Sequence, residues 1–293
     1  MTLPSLLACL KAHYGNDVTV VRRASVSGGS ICAASKLRLS NGEDVFAKTA
    51  RSPRAAQMFA AERDGLLALQ VPGGPLVPTP IGIAEEEGAP VLLMAYIPHG
   101  RSTTAWAEDF GRALATLHRT SRHPAPGYAI DNFIGKTVQR NTWSDTWESF
   151  FAAHRLGFLV ELAARQRLLS RSDEQVLERV VARVAQWLLS PEGEMSLVHG
   201  DLWTGNAFPG PGGEPVFVDP AVYFGHREVD IAMSELFGRF PEAFYRSYES
   251  VWPLQPGYAE RRDGYNLYHL LNHLILFGGG YHAGVMATAR KYA

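Results

Sequence analysis

The sequence predicts an α+β fold with two lobes: a small N-terminal lobe of antiparallel sheet with a helix, and a larger, mainly helical C-terminal lobe. Strand-like runs separated by turn residues occupy most of the chain up to Ile97. After Pro98-His99-Gly100, the spacing of apolar residues changes from two to the helical period. With 293 residues, 46% of them hydrophobic and 19% charged, the chain can bury a sizeable core. We therefore predict lobes at 1–97 and 98–293.

The bulk composition excludes several classes of protein. The formal net charge is −1 and no basic run occurs, so we expect no nucleic-acid partner. The two cysteines, Cys9 and Cys32, cannot supply a disulfide scaffold or a four-ligand zinc site. The first residues lack the basic region of a signal peptide, and no apolar run approaches the roughly 18 residues that span a bilayer. We expect a cytoplasmic protein without a membrane partner.

The N-terminal segment predicts a helix followed by strands. Helical spacing covers Pro4 to Tyr14, and Asp17 to Arg23 is typical of a strand. Asn41-Gly42 is a strong hairpin signal before the strand Val45 to Lys48.

A glycine turn lies between the first two predicted strands. Its residues are Gly28, Gly29 and Ser30. Glycines let the backbone approach a phosphate group without a side chain in the way, so the turn is a candidate phosphate-binding loop. An ordinary hairpin would have the same Gly-Gly pattern.

A lysine and a glutamate of the N-terminal lobe are candidates for an ion pair. Lys48 lies on the third strand, and Pro53 to Leu69 predicts a helix whose apolar stripe includes Glu62. A carboxylate on an apolar face is costly unless it is paired, and Lys48 is its natural partner. Kinases hold nucleotide phosphates with such a pair. The alternatives are an exposed edge lysine and a glutamate at the rim of the lobe.

The last strand of the lobe is a candidate adenine-binding edge. Ile81–Ala84 and Pro90–Ile97 predict a strand pair that ends at the lobe boundary. Adenine would contact backbone groups around Ala95 to Ile97, including those of Tyr96, with Met94 near the ring. A simple buried strand would have the same pattern.

Helical spacing predicts most of the C-terminal lobe. The predicted helices are 105–120, 143–169, 173–189, one that begins at 228, 241–248 and 258–277. Ser172 or Asp173 is the expected cap of the third, and 120–140 is expected to be a long loop. Asp230 lies near the start of the fourth helix, where we expect it to bond backbone amides of the preceding polar loop.

The stretch from Leu197 to Asn206 carries the candidate chemistry. Asp201 and Asn206 lie five apart, and Asp219 ends the next apolar strand. Phosphoryl transfer needs such a set: Asp201 would accept the proton of the attacking hydroxyl, and Asn206 and Asp219 would hold Mg²⁺ on the phosphates of ATP. His199 would brace the loop. The alternative is a polar loop between two buried strands, with carboxylates capping turns.

The whole chain resembles the fructosamine kinase (ketosamine 3-kinase) family, relatives of the aminoglycoside and choline phosphotransferases with a bilobal protein-kinase-like fold. The resemblance is carried by these segments: Gly28–Ile31, Lys48, Met58-Phe59 with Glu62, His199–Asn206, Val218–Ala221, Tyr223–Glu228, Asp230–Met233, Leu236–Gly238 and Tyr265–His273. It implies ATP-dependent phosphorylation of the sugar 3-hydroxyl of a ketosamine formed by glycation. The phosphorylated product sheds its sugar, so the implied role is deglycation repair on small-molecule or protein-bound ketosamines.

The resemblance also suggests where the acceptor lies. Trp203, beside the proposed base, offers an aromatic plane for the sugar, although a core tryptophan supporting the loop is an alternative. His269 and His273 lie four apart on the last helix, where helix packing or acceptor contact is favoured over a metal site. Some family members have a redox-active cysteine in the glycine turn. Here Cys32 follows Ser30 by two residues, and we expect a buried strand thiol.

Two other functions fit parts of the pattern. The same fold could phosphorylate an aminoglycoside, a choline-like alcohol or another small metabolite. A non-catalytic pseudokinase is a third reading, but the joint presence of Lys48, Glu62, Asp201, Asn206 and Asp219 argues against it. We expect ATP and Mg²⁺ as cofactors and a monomer as the oligomeric state.

Overall fold

The computed structural model describes residues 3–26, 32–188 and 193–293. Its N-terminal part contains a five-stranded antiparallel sheet with the strand order β1-β2-β3-β5-β4. The strands are β1 Val20–Val26, β2 Ala33–Leu39, β3 Asp44–Thr49, β4 Pro80–Glu86 and β5 Ala89–Ala95. The pairing of β2 with β3 confirms the hairpin at Asn41-Gly42, where Gly42 has a φ of 90° that favours glycine.

Two helices cover this sheet, α1 Leu6–Tyr14 and α2 Ala55–Ala68. Helix α1 begins after Ser5, whose hydroxyl accepts a hydrogen bond from the Ala8 amide at 3.2 Å. Helix α1 packs against β4, and α2 packs against β4 and β5. Both helices begin two residues later than predicted, and β1 begins three residues later.

Helices make up most of the remaining chain. They are α3 Thr104–Thr120, α4 Trp147–Phe150, α5 Phe158–Arg165, α6 Arg171–Ala182, α7 Val184–Trp187, α8 Glu228–Leu236, α9 Glu242–Val251, α10 Tyr258–Phe277 and α11 His282–Tyr292. A π-helical segment, Phe151–Gly157, joins α4 to α5, and a 3₁₀ turn, Gly279–Tyr281, precedes α11. Among the residues described, no helix has the length and apolarity that crossing a membrane requires.

Two predictions about these helices need correction, and one helix was missed. The helix predicted from Trp143 begins at Trp147, because Thr146 caps it by accepting from the Ser149 amide. The cap of α6 is Ser170, which forms a capping box with Asp173, so the predicted cap is wrong. Helix α11 was not predicted at all.

Short strands surround the polar stretch. They are β6 Arg122–His123, β7 Asn132–Ile134, β8 Thr137–Gln139, β9 Met195–Val198, β10 Ala207–Pro209, β11 Pro215–Phe217 and β12 Tyr223–Gly225. Strands β12, β9 and β6 form one small sheet in that order, β10 pairs with β11, and β7 pairs with β8. The predicted loop 120–140 therefore contains a hairpin, β7–β8, and part of a sheet.

One hydrophobic cluster links the sheet to the helices. It includes Phe59 of α2, Leu92 of β5, Phe110 of α3 and Phe217 of β11, all fully buried. The backbones of the two parts also meet, since the Leu76 amide donates to the Pro215 carbonyl at 2.8 Å. The α+β architecture is confirmed, and the division at 97/98 stays a prediction.

Candidate active site

The loop that carries Asp201 is fixed from below by a buried carboxylate. Asp230, near the start of α8, accepts hydrogen bonds from the His199 amide at 2.7 Å and the Gly200 amide at 2.9 Å. Gly200 has a φ of 81°, and a Cβ there would lie 2.0 Å from the Ala221 carbonyl oxygen, so only glycine fits. Asp230 therefore bonds the loop amides, as the sequence predicts.

Two buried histidines support the same loop. His199 Nδ1 accepts from the Asp201 amide at 3.2 Å, which places the ring proton on Nε2, 3.0 Å from the Val218 carbonyl oxygen. His118 joins Asp230, through Nε2 at 3.1 Å, to the Tyr248 hydroxyl, through Nδ1 at 2.9 Å. Burial lowers the pKa of both histidines, so both brace the loop as neutral rings.

Asp201 and Asn206 are in direct contact. The Asn206 side-chain amide donates to the Asp201 backbone carbonyl at 2.9 Å and to its carboxylate at 3.1 Å. These bonds leave Asn206 Oδ1 without a partner among the described residues. Burial, followed by the negative charge of Asp219, raises the pKa of Asp201 to about 7, while the bond from Asn206 opposes this rise.

Lys48 lies between two carboxylates. Its Nζ donates to both carboxylate oxygens of Glu62 at 2.9 Å and to Asp219 Oδ1 at 2.8 Å. Burial alone would lower the pKa of Lys48, but the charges of Asp219 and Glu62 outweigh it and raise that pKa. Burial would raise the pKa of Asp219, but Lys48 outweighs it and holds that pKa below its usual value. Both residues are therefore charged.

Asp219 adopts a backbone conformation that is unusual for a residue other than glycine. Its φ is 54°, in the left-handed region. Such a conformation costs on the order of 1–3 kcal/mol and persists where the surroundings impose it, often at functional sites. The side chain is 48% exposed, so a ligand can reach the carboxylate.

The oxygen atoms of Asn206 and Asp219 suit a hard cation such as Mg²⁺. In the described part of the chain, no group of three or more His, Cys, Asp or Glu side chains could hold a metal ion. Mg²⁺ needs no such group, because it commonly binds one or two protein oxygens and takes its other ligands from water and nucleotide phosphates. The residues present fit that mode of binding.

The predicted adenine-binding edge offers fewer free backbone donors than the sequence suggests. The Ala95 amide already donates to the Thr79 carbonyl at 2.9 Å, and the Tyr96 amide donates to the Asp44 carbonyl at 3.1 Å. Of these backbone donors, only the Ile97 amide is free among the residues described. Met94 is 4% exposed on β5. The Lys36 ammonium lies over the Tyr96 ring, 4.2 Å from the ring centroid.

The glycine turn of Gly28, Gly29 and Ser30 lies outside the described residues. Cys32 lies directly before β2 and is half-buried against the hydrophobic cluster that links the sheet to the helices. Burial raises the pKa of its thiol.

Trp203 and His269, the predicted acceptor residues, occupy different environments. Trp203 is partly exposed, and its ring lies over Gly205, where an added Cβ would be 2.4 Å from the ring. His269 is 4% exposed on α10, and burial lowers its pKa to about 3. His273, four residues on, bonds the His269 carbonyl at 2.8 Å, and its ring lies 4.3 Å from the Phe237 ring at a tilt of 42°, which fits helix packing and not a metal site.

Sequence reasoning missed a polar hairpin that supports the site. Gln139, on β8, donates to the Ala221 carbonyl at 2.9 Å and accepts from the Tyr268 hydroxyl at 2.7 Å. Asn132, on β7, donates to the Val222 carbonyl at 2.7 Å. Ala221 and Val222 directly follow Asp219 and Pro220. Thr137, Gln139 and Asn141 lie two residues apart, but Lys136 and Arg140 between and beside them are also polar, so the sequence carries no clear strand alternation here.

Comparison with known proteins agrees with this geometry. A family model described as fructosamine kinase matches residues 3–292. The probable ketoamine kinase of Synechocystis sp. is 43% identical, over 91% of this chain and 88% of its own length. The chloroplastic protein-ribulosamine 3-kinase of Arabidopsis thaliana is 38% identical, over 95% of this chain and 84% of its own length.

Solved structures show the same architecture. A crystal structure from Haemophilus somnus 129PT, of a protein provisionally named a fructosamine-3-kinase, has a TM-score of 0.89 at 26% identity and covers 98% of this chain and 96% of that one. An ADP-bound aminoglycoside phosphotransferase has a TM-score of 0.59 at 13% identity, over 97% of each chain, and shares the protein-kinase-like fold. The chain belongs to the fructosamine kinase family.

Proposed function

We propose that this protein is an ATP-dependent kinase that phosphorylates the sugar 3-hydroxyl of ketosamines, a deglycation activity. The observation that carries the proposal is the convergence of Lys48, Glu62 and Asp219 beside the contact pair Asp201 and Asn206. The relatives named ketoamine kinase and ribulosamine 3-kinase support the acceptor class.

Asp201 is the proposed base. Its carboxylate is held by Asn206 and by a loop fixed to Asp230, so it can orient the attacking hydroxyl and accept its proton. Asn206 Oδ1 and Asp219 would hold Mg²⁺, which when bound neutralises charge on the nucleotide phosphates. Lys48, positioned by Glu62, would contact the same phosphates.

The nucleotide would lie between the sheet and the loop. Gly28, Gly29 and Ser30 would approach the phosphates through their backbone, and the Ile97 amide would meet the adenine edge. Met94 and the Tyr96 backbone would border the ring.

For the acceptor, we propose that Trp203 presents its ring to the sugar and that His269 contacts a sugar hydroxyl. The partly exposed position of Trp203 beside the loop supports the first role. A cytoplasmic, monomeric protein without nucleic-acid or membrane partners stays our prediction, and cell fractionation and size-exclusion chromatography would test it.

Asp201→Asn tests the base. General acid–base groups contribute roughly 10²–10⁴-fold to rate, so Mg²⁺-dependent ADP release with a ribulosamine or fructosamine should fall by at least about a hundredfold. Binding of ATP, measured by calorimetry, should persist. The matched control is Asp109→Asn, which removes an exposed carboxylate paired with Arg112 on α3.

Full activity in Asp201→Asn would contradict the assigned role.

A panel of acceptors, including an aminoglycoside and choline, tests the substrate class with wild-type protein. Strong preference for a non-ketosamine would refute it. In the same assay, Trp203→Leu should raise KM for the ketosamine and leave KM for ATP unchanged, because the ring is proposed to touch only the sugar.

A further inference from the structure

A cavity of about 450 Å³ lies at the C-terminal end of α8. Its volume falls within the range typical of small-molecule sites. It is lined by Glu235, Leu236, Arg239, Arg262, Asp263 and Asn266. Two guanidinium groups and two carboxylates therefore face one space, and their formal charges sum to zero.

The cavity adjoins the loop that carries Asp201. The Thr204 hydroxyl donates to the Phe237 carbonyl at 3.3 Å, and a Cβ at Gly238 would lie 3.3 Å from the same hydroxyl oxygen. Leu236, the residue before Phe237, lines the cavity. Thr204 follows Asp201 by three residues, which an extended chain spans in about 10 Å. The cavity is thus within reach of a substrate whose reacting hydroxyl lies at Asp201.

An unpaired polar atom borders the cavity. Asn266 is 5% exposed, and its Nδ2 donates to the Ala232 carbonyl at 2.8 Å. Its Oδ1 is buried and has no hydrogen-bond partner among the described residues. His269 lies three residues further along the same face of α10. Its Nδ1 is also buried and has no hydrogen-bond partner among the described residues.

These two atoms call for a ligand. Buried polar groups are nearly always paired in folded proteins, and an unpaired one costs about 1–3 kcal/mol. The charge of Asp230, which holds the catalytic loop, acts on His269. Asn266 lines the cavity, and His269 lies three residues further along the same face of α10.

We propose that the cavity binds the α-ammonium and α-carboxylate of a ketosamine carried on a free lysine, an inference that rests on the proposed function. Arg262 and Arg239, with side chains 38% and 50% exposed, can bind the carboxylate. Glu235 and Asp263 can bind the ammonium, and Asn266 Oδ1 can accept a hydrogen bond from it once the side chain turns to expose that buried atom.

The existing ion pairs are compatible with insertion of such a group. Arg262 lies 3.2 Å from Glu235 and 3.3 Å from Asp263, and Arg239 lies 3.7 Å from Glu235. Two shorter pairs lead away from the cavity lining, Arg239 with Glu242 and Asp263 with Lys291, both at 2.6 Å. A zwitterion placed between the charged side chains of the lining gives each side chain a new partner of opposite charge, so no charge loses its partner. A lysine within a protein has neither charge, because its α-groups are in peptide bonds. The cavity therefore selects low-molecular-weight ketosamines.

The test compares two acceptors that differ only in these charges. One is Nε-fructosyl-lysine, and the other is the same compound acetylated on its α-amine and amidated on its carboxyl group. Wild-type protein should bind the first at least about tenfold more tightly in calorimetry, because charge-assisted hydrogen bonds contribute 1.5–3 kcal/mol each. Arg262→Gln and Asp263→Asn should each lower the ratio of the two affinities, and the double variant should bring it close to one. The control Arg165→Gln removes an exposed arginine paired with Glu161 at 3.1 Å and should keep the wild-type ratio.

Equal binding of the two acceptors by wild-type protein overturns the proposal, as does an unchanged ratio in both cavity variants once their melting curves show that they are folded. Phosphorylation of the blocked acceptor by wild-type protein tests the proposed function separately. Absence of turnover with both acceptors would remove the proposed function, and the affinity ratio would still decide whether the cavity recognises the zwitterion.

Discussion

Asp201 and Asp219 bring two carboxylates into one site, and the groups around them shift their pKa values in opposite directions. Asp219 bonds the Lys48 ammonium at 2.8 Å, which keeps its pKa low. Asp201 has only the neutral amide of Asn206, so burial and the charge of Asp219 raise its pKa to about 7. Pairs of carboxylates with separated pKa values are a common way to divide a base from a charge-binding group.

The raised pKa of Asp201 predicts how activity depends on pH. A base must be unprotonated, so kcat/KM for the ketosamine should fall as pH drops through about 7. Below that pH, Asp201 is increasingly protonated and cannot accept the proton of the hydroxyl. A saturating concentration of Mg²⁺ should move the midpoint to lower pH, because a cation at Asp219 offsets the charge that raises the pKa.

The measurement is a pH–rate profile between pH 5.5 and 8.5 at low and high Mg²⁺, with ketosamine below KM. The wild-type protein after return to pH 8 is the control for irreversible loss. A profile that stays flat across this range would contradict the role of Asp201 as the titrating base.

For single residues, the sequence predicts the partners of charged side chains better than those of neutral backbone groups. Glu62 on an apolar helix face requires a cation, and the structure shows that the cation is Lys48. In the same way, a carboxylate near the start of α8 predicts an acceptor for the loop amides, and Asp230 accepts from the His199 amide. The adenine-binding edge could not be resolved from sequence, because the partners of the Ala95 and Tyr96 amides lie on distant segments.

Among the secondary-structure elements, the β7–β8 hairpin links the site to the helices. Gln139 contacts Ala221 on one side and Tyr268 of α10 on the other. It also donates to Asn132 Oδ1 at 2.8 Å, which in turn accepts from Asn141 at 3.0 Å. All five residues have at most 5% exposure, so these bonds have no water to replace them. The hairpin therefore fixes the segment that follows Asp219.

Gln139→Leu tests this element. Leucine fills a similar volume but leaves the Ala221 carbonyl and the Tyr268 hydroxyl unpaired, while Asn132 Oδ1 keeps its bond from Asn141. At about 1–3 kcal/mol for each buried group left unpaired, the free energy of unfolding should fall by roughly 2 kcal/mol or more. The apparent affinity for Mg²⁺ should fall as well, since the segment after Asp219 loses its support.

Urea unfolding followed by circular dichroism measures the first effect, and ADP release against Mg²⁺ concentration measures the second. Gln166→Leu, at the exposed C-cap of α5, is the matched control and should change neither. Wild-type stability in Gln139→Leu would contradict the structural role of the hairpin.

Element length decided which elements could be predicted. Helix α10 has twenty residues and matches its prediction from Tyr258 to Phe277. Strands such as β7 and β8 have three residues each, too few for a period of two to stand out. The π-helical segment Phe151–Gly157 has no distinct apolar period, so the sequence predicts one continuous helix there.

In the whole molecule, α2 joins the sheet to the catalytic segment. A Cβ at Gly65 would lie 3.2 Å from Pro220, and the Tyr128 hydroxyl donates to Asp64 at 2.7 Å. Helix α2 thus places Glu62 where Lys48 and Asp219 meet. This arrangement follows from contacts between segments distant in sequence, and its sequence signals are the carboxylate on the apolar face of α2 and the resemblance to a kinase family.

Buried histidines predict how stability of the whole molecule responds to acid. Burial lowers the pKa of His226 to about 4, against the opposing effects of Glu228 and Gln255, whereas a histidine in an unfolded chain has a pKa near 6.5. Between these values the unfolded chain binds a proton that the folded protein excludes, so the contribution is present above pH 6.5 and is lost as pH falls toward 4. Asp201 acts in the opposite direction, because its raised pKa makes the folded protein bind a proton in the same range.

The total slope of stability against pH is therefore a poor test, and a difference between two proteins is a better one. Between pH 7 and 4.5, wild-type protein should lose up to roughly 3 kcal/mol more unfolding free energy than His226→Asn, which has no titrating ring at this position. Urea unfolding at several pH values, monitored by circular dichroism without ligands, gives both free energies. His13→Asn, at an exposed histidine of α1, should follow the wild-type curve. If His226→Asn also follows that curve, the excluded proton does not belong to His226.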